Sequence, residues 1–244
     1  MSIYRQSLGV DGCRGGWIAV ISDSKDNWDL DFFSNIHKLW KKYRNSDLIL
    51  IDIPIGLIEK GKKPRKCDKE ARKYLTGLRS SSIFPVPCRN AIYAKNYQEA
   101  NLINRNLTGK GISKQSWNIT PKIKEVDMLL TTNKNAKNKL IESHPEVCFT
   151  ALAHGNPLKY SKKTEKGLEE RKKLLSSYSI SIINLIDDHI DKLEKSEVKA
   201  DDLLDASILA LSAKLGLSKI FFLPKRYKCD MKGIPMRIVL PKFY

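Results

Sequence analysis

The sequence predicts an α/β fold: a mixed sheet that opens antiparallel, is flanked by helices, and carries a basic insertion after its fourth strand. Three observations predict it. Short apolar runs bounded by glycine and polar residues dominate the first sixty residues; apolar residues recur at helical spacing in the last third; and from Gly61 to about Asn138 the composition turns basic and polar. At 244 residues and 41% apolar, the chain can bury a core as one domain (1–244), with about 61–138 as an inserted subregion lying over the sheet.

Residues 7–11 (Ser-Leu-Gly-Val-Asp) read as a buried strand ending on a carboxylate. Gly12, Gly15 and Gly16 turn the chain into a second strand, Trp17 to Ser22. Asn27 to Phe33 alternates, with Trp28, Leu30 and Phe32 on one face, as a half-exposed third strand does. Ile36, Leu39, Trp40 and Tyr43 then stand at helical spacing. Leu48 to Ile53 is an apolar run broken by Asp52, which suits a strand buried on both faces. Inside the insertion, helices are expected at Cys67 to Leu78 and Pro121 to Leu130, the second with proline at its first position. Lys139 to Ser143 reads as a strand, Pro145 opens a helix, and Leu174 to Leu193 keeps helical periodicity throughout. Asp201 to Leu215 is a helix whose Leu204, Ile208, Leu211 and Leu215 form one stripe, with Gly216 as its stop. Ile220 to Leu223 is a last short strand.

Composition narrows the class of protein. The most apolar stretch, Leu48 to Ile58, is interrupted by Asp52, Pro54 and Gly56 and falls short of the roughly 20 residues a membrane helix needs. The opening Met-Ser-Ile-Tyr-Arg-Gln lacks the pattern of a secretion signal, so a cytoplasmic protein is expected. Cys13, Cys67, Cys88, Cys148 and Cys229 are odd in number and never in a C-x-x-C pair, the usage of reduced thiols. The net charge is +17, from 44 basic and 27 acidic residues, with basic clusters at 60–73, 110–139 and 159–173. Such an excess favours a polyanionic partner, nucleic acid foremost.

Acidic residues stand where they are costly. Asp11 and Asp52 end or interrupt apolar strands, Glu142 ends another, and Asp201, Asp202 and Asp205 lie at the start of an apolar helix. An unpaired buried carboxylate costs several kcal/mol, so acids in such places have a cation or donor as partner. A pair of magnesium ions about 3.5–4 Å apart, held by three or four carboxylates, is one such partner. Asp11 before Gly12 also suits a turn acid, Glu142 suits a pair with His144 or a lysine, and acids at a helix start favour its dipole. At about 100° per residue, Asp201 and Asp202 both lie within about 60° of Asp205 around the helix, so either can share a ligand with it.

The order strand-Asp11, two strands, helix, strand-Asp52, late helix with Asp-x-x-Asp resembles the RNase H-like superfamily. Ala200-Asp-Asp-Leu-Leu-Asp-Ala206 resembles the Ala-Asp-x-x-Asp-Ala helix of RuvC-type resolvases, which favours Asp202 with Asp205. A longer resemblance rests on Gly-Val-Asp-Gly-Cys-Arg-Gly-Gly-Trp (9–17), Ile-Asp-Ile-Pro-Ile-Gly-Leu (51–57), Cys-Asp-Lys-Glu-Ala-Arg (67–72) and Ser-Ser-Ile-Phe-Pro-Val-Pro (81–87). It continues through Thr-Gly-Lys-Gly-Ile-Ser-Lys-Gln (108–115), Pro-Lys-Ile-Lys-Glu-Val-Asp (121–127), Glu-Ser-His-Pro-Glu-Val (142–147) and Ser-Lys-Lys-Thr (161–164). These motifs are similar to a prokaryotic family of unknown function described as predicted RNase H-fold nucleases.

The resemblance implies a sheet antiparallel in its first three strands and parallel thereafter. It implies catalysis by Asp11, Asp52, Glu142, Asp202 and Asp205, with Mg2+ or Mn2+ held by Asp11, Asp52, Asp202 and Asp205. It makes Arg72, Arg79, Ser81, Arg89, Lys110, Gln115 and Lys122 candidate phosphate or substrate contacts, although Arg72 also suits a pair with Asp68 at i,i+4. His144, beside Glu142, is a candidate base. Thr108-Gly-Lys-Gly lacks the upstream spacing of a P-loop. Hydrolysis of phosphodiester bonds is therefore expected. The rivals are an actin-like or sugar-kinase-type phosphotransferase or ATPase, whose folds also open on strand-Asp-Gly, and a non-catalytic nucleic-acid-binding protein of the same fold.

Overall fold

The computed structural model describes residues 6–193 and 198–243. The first five residues, on which the expected absence of a secretion signal rests, lie outside the described residues. The five opening elements are β1 (Gln6–Cys13), β2 (Gly16–Asp23), β3 (Trp28–Phe33), α1 (Ile36–Tyr43) and β4 (Leu48–Ile51). The insertion follows as α2 (Lys66–Arg79), α3 (Arg89–Ile92), α4 (Tyr97–Thr108), α5 (Lys114–Asn118), α6 (Thr120–Thr132) and α7 (Lys134–Lys139). The chain then forms β5 (Leu140–Glu142), α8 (Pro145–Leu152), α9 (Glu165–Ser176), α10 (Ile180–Leu193), α11 (Ala200–Lys214), β6 (Ile220–Cys229) and β7 (Pro235–Pro241).

The main sheet has the order β3-β2-β1-β4-β5. β1 and β2 pair antiparallel, with Asp11 opposite Ile18, and β2 pairs antiparallel with β3. β4 runs parallel to both β1 and β5, with Val10 beside Ile51 and Ile51 beside Glu142. The mixed sheet expected from the sequence is thus present, antiparallel in its first three strands and parallel beyond.

Strand alternation builds a core on each face. Leu8, Val10, Trp17, Ala19, Ile49 and Ile51 pack on one side with Ile36 and Leu39 of α1 and with Ile123 and Val126 of α6. Ile18, Val20, Leu48, Leu50 and Ile141 pack on the other with α8, α10 and α11. Gly9 lies on this second face, and a Cβ there would stand 2.1 Å from both the Ala206 carbonyl oxygen and the Ala210 nitrogen. Only a glycine lets α11 lie so close to β1.

Four expectations are corrected. The 174–193 periodicity spans two helices, because Ser177 donates its hydroxyl to the Leu174 carbonyl and Ser179 accepts the Ile182 N–H, ending one helix and capping the next. β1 runs on to Cys13 instead of ending at Asp11, because Gly12 and Cys13 still pair with Trp17 and Gly16 of β2; β3 is the half-exposed strand expected, with Phe32 49% exposed at the sheet edge. α11 is buried all round from Leu203 to Ala213, not along one stripe, because the sheet and helices enclose it. The last strand extends to Cys229 and pairs antiparallel with β7, which the sequence did not signal. Among the described residues no helix is long and apolar enough to cross a membrane.

Candidate active-site cleft

Alternation along β1 places Asp11 on the same face as Gly9, toward α11. Its Oδ1 accepts the Gly12 N–H at 2.7 Å. Asp52 follows the last residue of the neighbouring parallel strand, its own N–H donating to the Val10 carbonyl at 2.9 Å. The two carboxylates therefore leave the sheet side by side at the carboxyl ends of β1 and β4, the edge where open α/β sheets place their sites. The close seat of α11 over Gly9 brings Asp205, in the second turn of that helix, to the same place. All three line one cleft of about 510 Å3.

The electrostatics of this cluster are unfavourable as it stands. Burial pushes the Asp11 carboxyl well above its ordinary value, and the charges of Asp52 and Asp205 push it further. Burial also raises Asp52. Asp205, 1% exposed, is raised to about 7 by burial even though Lys162 pulls it down. The Lys162 ammonium, carried by the loop between α8 and α9, lies 2.5 Å from Asp205 Oδ2 and 3.8 Å from Asp201.

Glu142 has a different environment. Arg65 donates to its two oxygens at 2.8 Å each, and the Ile55 N–H donates at 2.8 Å. Arg65 also pairs with Asp68 at 2.5 Å and holds the Ile55 carbonyl at 2.9 Å, so this buried network ties the chain after β4 to α2 and β5. Glu142 lines the cleft, but its oxygens are committed to the protein; it pairs with neither His144 nor a lysine.

His144 and Glu146 flank the start of α8 and line the same cleft. His144 Nδ1 is buried without a partner. Glu146, 7% exposed, accepts at Oε1 from the fully buried Arg171, while its Oε2 is buried and unpartnered. The charge of Glu146 reaches both Asp52 and Asp205.

Asp202 accepts the Lys199 N–H at 3.0 Å, capping α11, and does not line the cleft. Arg79, Ser81, Gln115 and Lys122 line it; Arg72, Arg89 and Lys110 do not. Arg79 donates from Nε to the Leu158 carbonyl at 2.8 Å, and Lys122 donates to the Gly16 carbonyl at 2.5 Å with its ammonium over the Trp17 ring. Arg72 does not pair with Asp68, which Arg65 holds; its Nε donates to the Ile83 carbonyl at 2.9 Å. Arg89 joins Asp127 at 3.0 Å and Asp230 at 2.5 Å, and also pairs with Glu59. Lys110 is exposed and lines a second depression with Lys62 and Pro85.

Lys162, Glu146 and Arg65 were not singled out from the sequence. The first two stand inside the Ser-Lys-Lys-Thr and Ser-His-Pro-Glu motifs, which is the signal that marks them.

Asp11, Asp52, Asp205 and Glu146 offer only hard oxygen donors, the set that suits Mg2+ or Mn2+. The unpartnered Glu146 Oε2 is an acceptor that a cation would satisfy. By donor chemistry and charge the residues fit a divalent ion. Among the described residues, however, no three His, Cys, Asp or Glu groups are already gathered as a metal-holding cluster.

Fold and cleft together define an α/β protein with a carboxylate-rich cleft at the carboxyl edge of its sheet. Residues 9–222 match the family described as "protein of unknown function (DUF429)", and the chain belongs to that family. No curated protein and no solved structure matches the chain.

Proposed function

We propose that this protein is a divalent-metal-dependent nuclease of RNase H-like architecture, hydrolysing phosphodiester bonds of nucleic acid. One observation carries the reading: Asp11, Asp52 and Asp205, from three separate elements, converge in a buried cleft with the Lys162 ammonium as their cation. When all three are ionised they outnumber the one ammonium, and a divalent ion would match the excess negative charge and draw off the protons that burial favours. The strand order, with two antiparallel pairings followed by two parallel ones, supports the RNase H-like assignment.

Asp11, Asp52, Asp205 and Glu146 would hold the Mg2+ or Mn2+, and the bound ion would polarise a phosphoryl oxygen toward attack by water. The protein supplies the rest. Apolar strands bury the carboxylates and set their directions. Arg65 fixes Glu142 and the segment after β4, which keeps Asp52 in place. Arg79, Ser81, Gln115 and Lys163 line the cleft as contacts for the phosphate backbone, giving affinity independent of sequence. The net charge of +17 favours such a partner.

Purified protein with Mg2+ or Mn2+ is expected to cleave at least one substrate from a panel of single-stranded, duplex, branched and hybrid DNA and RNA. Asp11→Asn is expected to abolish cleavage with circular dichroism unchanged. If every substrate stays intact with both metals, the nuclease reading fails. Salt-dependent binding without cleavage would then identify a nucleic-acid-binding protein, and ATP hydrolysis measured in parallel would identify a phosphotransferase or ATPase.

A further inference from the structure

The Lys162–Asp205 pair differs from an ordinary surface ion pair. Asp205 has a side chain only 2% exposed, at the inner end of the cleft, while Lys162 reaches it from a surface loop. That loop is fixed where it turns. Thr164 donates both its N–H and its hydroxyl to the Ser161 carbonyl, at 3.0 and 2.8 Å, and its Oγ1 accepts the Gly167 N–H at 3.2 Å. Gly167 packs directly on Ser161, where a Cβ would stand 1.9 Å from the Ser161 carbonyl oxygen. Lys162 thus projects from a braced turn into the cleft.

An ammonium is a compact single charge with three donors and no capacity to gather oxygens as a divalent ion does. It occupies Oδ2 of Asp205 and leaves Glu146 Oε2 unmet. Glu146 Oε2 stays unpartnered although Glu146 is only 7% exposed, and Asp11 and Asp52 keep their mutual repulsion.

We propose that Lys162 is a resident cation that takes one divalent-ion position at Asp205, so that removing its charge lets the chain bind one further divalent ion. It acts as a positioning residue, holding Asp205 and limiting how many ions the cleft accepts. The inference rests on reading these carboxylates as metal ligands, and not on cleavage of any substrate.

The test is Mn2+ stoichiometry at pH 8, read by electron paramagnetic resonance of the free ion, for wild type, Lys162→Met and Lys162→Arg. Lys162→Met is expected to bind one more Mn2+ per chain than wild type. Lys162→Arg, which keeps the charge, is expected to bind the same number as wild type. A folded Lys162→Met protein that gains no ion overturns the proposal. So does a Lys162→Met protein that is unfolded in EDTA and is not restored by Mn2+. If Lys162→Met gains an ion while neither protein cleaves any nucleic acid, the proposal stands and the nuclease reading fails.

Discussion

Glu142 and Asp11 both lie toward the carboxyl ends of apolar strands at the same sheet edge, yet their surroundings predict opposite responses to losing a charge. Glu142→Gln removes the anion from a network in which Arg65, itself 2% exposed at its side chain, donates twice and Ile55 N–H once, all at 2.8 Å. Unpairing a buried ion pair costs about 3–5 kcal/mol. Arg65 keeps its second partner, Asp68, at 2.5 Å, so the lower end applies, about 3 kcal/mol. For a chain of this length that lowers the Tm by about 6–12 °C. Asp11→Asn instead removes one of three carboxylates that repel one another, and the asparagine Oδ1 can still accept the Gly12 N–H that Asp11 holds at 2.7 Å. Metal-free Asp11→Asn is therefore expected to be at least as stable as wild type. Urea unfolding in EDTA at pH 8 measures both. A Glu142→Gln protein within about 0.5 kcal/mol of wild type, or an Asp11→Asn protein several kcal/mol less stable than wild type, would refute the division between a structural and a functional carboxylate.

Two further perturbations probe how the cleft is assembled. Gly9→Ala forces a Cβ to within 2.1 Å of the backbone of α11; the helix must move outward, carrying Asp205 from Asp11, with loss of both stability by urea unfolding and Mn2+ binding by titration. The pH dependence follows from the buried acids, Asp205 raised from 3.8 to about 7 and Glu142 raised from 4.5 to about 7. A raised acid holds its proton more tightly in the folded state, so its contribution is complete below about pH 4 and is lost as pH rises through about 7. The urea midpoint in EDTA is expected to decline across that window, and Asp205→Asn to reduce the decline; a wild-type midpoint unchanged from pH 4 to 8 would contradict the assignment.

The elements legible in the sequence are those whose pattern and burial agree. Ile36, Leu39, Trp40 and Tyr43 are the four buried residues of α1, and Leu48 to Ile51 is buried on both faces as a continuous apolar run implies. Pro121 lies in the first turn of α6 and Pro145 at the start of α8. What escaped was set by tertiary context. α4 is capped by Asn96 and ended by Gly109 in a left-handed conformation (φ 75°), yet it packs through few apolar residues, so periodicity hides it. β7 is legible only as the partner of β6. Between α9 and α10 the apolar spacing runs on through Ser177-Tyr178-Ser179, and the hydrogen bonds of two serines, not hydrophobicity, decide where one helix stops.

The site shows what a carboxylate in an apolar run does and does not reveal. Such a residue announces that it needs a partner, because burying it alone is costly. It does not announce which partner. Asp11, Asp52 and Glu142 satisfy the criterion equally in sequence, but Glu142 meets Arg65, a residue 77 positions away, and its need is met within the chain. Asp11 and Asp52 meet each other and Asp205, so their need is increased by the fold. Asp202 and Asp205 sit three residues apart on one helix, yet one caps its start and the other is buried over the sheet, because Gly9 admits the helix closely at that second turn. Lys162 and Glu146 come from a loop and a helix start, where no periodicity marks which side chains turn inward. Convergence from separate elements, with acceptors left unmet, is what distinguishes a site from a structural network, and sequence spacing does not carry that information.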